Sequence, residues 1–147
     1  MFKPKQQDSD KHNEILKNLV ATSVQNPAEY NNFIYGYNQT KKLLIITVWH
    51  NYVLAYNDSF DKFVLFTLHD DNENGNWQLG ERIFFTRDEI VSFKKNIMAK
   101  HVIELKNGNT YKFVLAPYIP NSLGSFLMPI IQEEKVTSIL NKIKALA

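Results

Sequence analysis

The chain contains no cysteine. That excludes a disulfide framework, a thiolate metal site and a cysteine nucleophile. Glycine and proline are also scarce, at 5 each in 147 residues, which excludes collagen-like and low-complexity architectures. The longest apolar run, residues 43–49, falls far short of the ~20 residues a membrane helix needs. The opening MFKPKQQDSD has no apolar segment of the signal-peptide kind. The expected location is therefore cytoplasmic, and the sequons at Asn38 and Asn57 carry no weight without export. Charge of one sign is lacking too. Lys and Arg number 17 against 15 Asp and Glu, a net +2, well below the basic footprint of a dedicated nucleic-acid binder.

Catalytic signatures are equally absent. The sequence has no Gly-x-Ser-x-Gly elbow, no Gly-rich phosphate loop and no His-Glu-x-x-His pair, and its 4 histidines are scattered. The expectation is a protein that is not an enzyme and uses no cofactor.

What is present is an ordinary globular composition, 44% hydrophobic and 22% charged with 13% aromatic residues. A chain of this length fits one domain, residues 1–147, and can bury roughly 70% of its unfolded surface. Residues 1–7 read as a flexible tail. Asp8, Ser9 or Asp10 is placed to cap a helix over 9–25, in which Ile15, Leu16, Leu19, Val20 and Val24 form one apolar stripe. Asn26-Pro27 ends it and can start a second short helix; residues 30–37 fit helix or strand.

From residue 41 to 116 the period changes to that of antiparallel strands. The run Leu43-Leu44-Ile45-Ile46-Thr47-Val48-Trp49 is apolar on both sides, as in a central strand buried on two faces, with His50-Asn51 as a turn. Residues 52–56, 62–68, 82–86 and 88–93 supply further strands, with Ile90 and Phe93 inward. In the hairpin 101–115, a two-residue Asn107-Gly108 loop would pair Glu104 with Tyr111 and mix the faces. A three-residue connection avoids this, with Gly108 or Asn109 at positive φ. Prolines 117, 120 and 129 mark an irregular connector. A closing helix over 130–146 then places Val136, Ile139, Leu140, Ile143 and Leu146 on one face, with Glu133 and Glu134 at its start and Lys142 and Lys144 at its end.

Two segments are candidate sites. Residues 70–81 match the EF-hand calcium pattern, with Asp70, Asn72 and Asn74 as early ligands and Glu81 at the bidentate place. Strand-like flanks replace the helices such a loop requires, so a polar hairpin loop is the preferred reading and no metal is expected. His69 beside Asp70 and Asp71 reads as a loop-edge histidine, since consecutive strand-end residues diverge. The second segment, Lys94, Lys95, Ile97, Met98 and Lys100, sets apolar side chains between lysines at a hairpin tip. That combination suits an acidic protein partner, an anionic membrane surface or nucleic-acid phosphates, against a plain turn with Ile97 tucked onto the sheet. The stacking aromatics of RNA readers are missing here, and nucleic acid is the least favoured.

Three pieces of the sequence resemble the pleckstrin-homology-like and GRAM-like domains of bacterial proteins. They are Lys42-Leu43-Leu44-Ile45-Ile46-Thr47 with Tyr52-Val53-Leu54-Ala55-Tyr56, the segment from Phe85 to Phe93, and the hairpin from Ile103 to Phe113 with the closing helix. The resemblance implies an α+β fold: a strongly bent antiparallel sheet or partly open barrel plugged by the carboxy-terminal helix, with the amino-terminal helix as an extra. It further implies a non-catalytic module that binds proteins, peptides or lipids. Lys41 and Lys42 lie near the family's lipid-contacting loop, yet no matching basic motif carries lipid binding over. The leading expectation is recognition of a protein partner. The alternatives are a barrel holding a lipid or small ligand, or a calcium-responsive loop.

Overall fold

A computed structural model describes residues 3–71, 76–123 and 126–146. Helix α1 spans Gln6–Ser23 and buries Leu16 and Val20. It starts earlier than the capping residues suggest. Lys5 holds the cap position without a side-chain bond, Pro4 is buried, and the Lys3 amine pairs with Glu133 at 2.5 Å. Ser9 is not a cap: it is 1% exposed, and its hydroxyl accepts the Ile131 amide at 2.8 Å. A serine one turn into a helix was free to dock that helix on another element. After a 3-10 turn, Pro27–Tyr30, residues 32–42 are strand, which settles the open assignment.

The strands are β1 Asn32–Lys42, β2 Ile46–Tyr56, β3 Lys62–Asp71 and β4 Asn76–Thr86, then β5 Ile90–Lys95, β6 His101–Leu105 and β7 Thr110–Phe113. Two short strands follow, β8 Tyr118–Ile119 and β9 Ile130–Ile131, and then helix α2, Glu133–Lys144. They form three antiparallel sheets, a four-stranded β1-β2-β3-β4 meander, a three-stranded β5-β6-β7 sheet and the β8-β9 pair, not closed into a barrel. Among the described residues a single bridge, Tyr37 to Val114, links the two larger sheets. The fold is α+β with a helix at each end of the strand succession, as expected.

Two-face burial does occur in the meander, but later in β2 and in β3 and not over residues 43–49 as the sequence suggests. Residues 53–56 of β2 and 63–66 of β3 are buried throughout. Val53, Ala55, Val64 and Phe66 join Leu16, Val20, Met128 and Ile130 on the α1 side. Leu54, Tyr56, Phe63 and Leu65 join Phe85, Phe93, Phe113, Val136, Ile139 and Ile143 on the other. Phe60, 2% exposed and at φ 55°, enters this second core from the β2–β3 turn, its ring 4.7 Å from that of Phe63. Stacked and edge-to-face rings fill the space between the sheets, packing that such quadrupoles favour.

The β6–β7 hairpin has the expected odd-length loop. The Leu105 amide donates to the Asn109 carbonyl at 2.9 Å around Lys106, Asn107 and Gly108, and Gly108 sits at φ 91°. Ile103 therefore opposes Tyr111, and His101 opposes Phe113.

Two imidazoles lie in these layers, His12 half-buried and His101 buried. The His12 Nδ1 lies 2.6 Å from the Pro129 carbonyl oxygen, to which it donates. His101, 5% exposed beside Phe93, has no partner for Nδ1. Burial pushes both below the ordinary histidine value, with Lys95 adding to the shift at His101. The unfolded chain titrates these groups near 6.5 and so binds protons more readily than the native state. The stabilisation is complete above that pH and is lost as pH falls through the lower folded values. Melting temperature is expected to fall between pH 7 and 5, and His101→Phe should flatten that slope; an unchanged slope in a pH-series of thermal melts would contradict it.

Candidate functional site

The β1–β2 ladder continues in unbroken register to Lys42 opposite Ile46, while β2 pairs with β3 only as far as Asn51 opposite Leu68. Residues 38–50 thus form a two-stranded arm beyond the body of the sheet. Thr40 and His50 hydrogen-bond across it at 3.0 Å, and the Lys41 amine reaches the Thr47 hydroxyl at 3.1 Å.

The start of the run whose apolarity predicts a buried central strand makes the crown of this arm. Leu43, Leu44 and Ile45 form the turn and are 77%, 91% and 82% exposed. His50 and Asn51 lie within β2 instead of forming a turn. Leu43 and Leu44 adopt φ of 54° and 66°, a region that costs a side chain other than Gly, Asn or Asp about 1–2 kcal/mol. Nothing in the residue types announces such a turn, and so apolarity alone suggested burial.

The lysine-rich tip between β5 and β6 is built differently. Asn96 organises it: its side-chain oxygen accepts the Met98 and Lys100 amides, each at 3.0 Å, and its backbone N–H donates to the Lys100 carbonyl at 2.8 Å. Ala99 takes φ 62°. Ile97 does not tuck onto the sheet; it is fully exposed, as is most of Met98. Lys94 and Lys95 are exposed. The Lys100 amine donates to the Gln39 carbonyl at 3.3 Å, mooring this tip to the arm. The structure therefore ties the predicted basic turn to the arm at Gln39, on the strand that leads on to Lys41, Lys42 and the unpredicted aliphatic crown. None of the five lysines takes part in the two ion pairs among the described residues, Lys3–Glu133 and Lys62–Glu29.

Of the four calcium-loop candidates, Asp70 and Glu81 fall within the described residues. Asn72 and Asn74 lie outside the described residues. Asp70 opposes Trp77 in the β3–β4 ladder, and the Glu81 amide bonds the Thr67 hydroxyl at 2.8 Å. Asp70 and Glu81 are thus offset by about three residues along paired strands, roughly 10 Å. Among the described residues no group of three His, Asp or Glu side chains is placed to hold a metal ion.

No known protein family matches the chain. Nor does any curated protein sequence match it significantly. No helix among the described residues is long and apolar enough to cross a membrane.

Sequence reasoning missed two polar side chains at the seam between the helices and the meander. Lys135 lies with its amine 3.5 Å above the Phe33 ring and 3.0 Å from Asn13 Oδ1, and burial lowers its pKa to about 8. Gln132 is 3% exposed. Its Oε1 accepts the Tyr35 amide at 3.0 Å, and its Nε2 donates to the Tyr35 carbonyl at 2.7 Å and the Ala116 carbonyl at 2.9 Å. The faint sign was a glutamine at a helix cap, where it caps poorly.

Proposed function

We propose that this chain is a non-enzymatic binding module of pleckstrin-homology-like type that recognises a protein partner through the aliphatic crown and the neighbouring basic turn. The order of elements supports the family reading: a four-stranded meander, a three-stranded sheet and a closing helix whose buried Val136, Ile139 and Ile143 face the sheets. One observation carries the contact surface. Three consecutive large aliphatic side chains stand in solvent at the end of a fully paired arm, two of them on unfavourable left-handed backbone. Folding alone gains nothing from that arrangement, and exposed apolar clusters mark contact sites. Set back from the crown and turn are Lys41, Lys42, Lys94, Lys95 and Lys100, so the complementary surface is an apolar depression bordered by carboxylates.

The same apolar tip with recessed lysines also favours a second reading, an anionic membrane surface. A photo-crosslinking residue placed at Leu44, with Val91 as the control position, separates the two. The expected result in cells is a discrete protein adduct of one size from position 44 and none from position 91. Flotation with vesicles containing phosphatidylglycerol, without a protein adduct, would transfer the site to the membrane reading. Neither adduct nor flotation would remove the proposal.

A further inference from the structure

The β2–β3 ladder stops at Asn51 opposite Leu68, yet both strands run on. Residues 46–50 of β2 pair only with β1, and residues 69–71 of β3 only with β4. Between them opens a cleft of about 450 Å³ lined by residues 47–52 and 67–70 together with Phe126. Backbone amides and carbonyls that would have met across the gap instead face it from two strand edges, and such groups require partners.

The side chains at this fork are ordered. The Tyr35 hydroxyl accepts the Met128 amide at 3.2 Å and bonds the Asn51 side chain, whose Nδ2 donates to the Phe126 carbonyl at 3.2 Å. This network holds the Phe126 ring stacked 5.6 Å from that of Trp49, which in turn packs against Tyr37. Continuing the register would set Trp49 opposite Asp70 and His50 opposite His69. Asp70 Oδ1 is buried with no hydrogen-bond partner, an arrangement that costs about 1–3 kcal/mol or more for a charged group.

We propose that the fork binds an extended peptide segment along the parted strand edges, with one lysine or arginine of that segment held between the Asp70 carboxylate and the Trp49 ring. The backbone edges supply main-chain pairing, the common mode of strand addition. The carboxylate supplies a charge-assisted acceptor and the indole a face for the cation. This contact lies on a different part of the meander from the crown and does not depend on it.

The test uses the full chain and a phage-displayed library of random dodecapeptides. The expected result is enrichment of sequences with one Lys or Arg flanked by β-branched residues. A synthetic peptide from that set should slow hydrogen exchange at residues 46–50 and 69–70, and should perturb Trp49 fluorescence in a Trp77→Phe background. Asp70→Asn should weaken binding about tenfold. Replacing the peptide's cation with glutamine should cost the wild-type protein the same tenfold, a measurement that needs no variant to fold. Leu44→Asp should leave peptide binding unchanged, which keeps this outcome separate from that of the crown. No enrichment over an unrelated carrier, binders without a cation, or protection elsewhere on the chain would overturn the inference.

Discussion

Replacing Leu43 with asparagine and Leu44 with glycine is expected to raise stability by about 2–4 kcal/mol while weakening partner binding roughly 1,000-fold. The two effects have opposite sign because they arise from different states of the same turn. In the free protein both leucines sit at positive φ, 54° and 66°, where asparagine and glycine are at ease. Neither side chain packs on the body, being 77% and 91% exposed, so nothing in the core is lost. In the complex, two buried aliphatic anchors disappear, each worth 2 kcal/mol or more at an interface centre. Denaturant melts report the first effect and titration of the crosslinked partner the second. A variant that gained no stability and still bound normally would show that the crown is an ordinary turn. The trade accords with functional sites being kept at a cost to the fold.

Gln132→Ala is expected to cost about 3–5 kcal/mol, a large share of a typical domain's 5–15 kcal/mol. The reason lies at the outer edge of β1. Tyr37 exchanges both backbone bonds with Val114. At Tyr35, two residues earlier, the Gln132 side-chain amide plays the part of a peptide group by accepting from the amide and donating to the carbonyl. Its third bond ties Ala116 to the same point. Truncation strands three backbone groups in a buried seam, each costing about 1–3 kcal/mol before any water enters. Gln132→Met keeps most of the volume and loses the same bonds, so its deficit should approach that of alanine. Chemical unfolding with an unchanged denaturant slope would measure both. A loss below about 1 kcal/mol in each would mean that water replaces the amide without penalty.

Parts of this molecule were legible from residue order. The 3.6-residue spacing of Val136, Ile139 and Ile143 marked the face that α2 buries, because helical periodicity projects directly onto contact. The parity of Ile103, Leu105, Tyr111 and Phe113 demanded an odd-length loop, and Gly108 took the positive φ. Other parts were not legible. The run of residues 43–49 has the composition of a buried strand, but composition does not say where a ladder ends. Leucine gives no warning of a left-handed turn. The lysines of residues 94–100 were visible as a basic tip, whereas the crown was hidden as a false core strand. Asp70 drew attention for a calcium pattern and matters in the structure for its unpartnered oxygen beside the fork.

Residue order by itself determined the two long helices, the faces they bury and the odd-length loop of the second sheet, because these depend on side-chain periodicity and turn chemistry within a few positions. Only the tertiary structure decided where β2 and β3 part, which aliphatic residues stay in water and which side chain completes the edge of β1. Those outcomes depend on how far α1, α2 and the second sheet extend over the meander. That reach is set by packing between segments as far apart as Tyr35 and Gln132, which no short window of sequence contains.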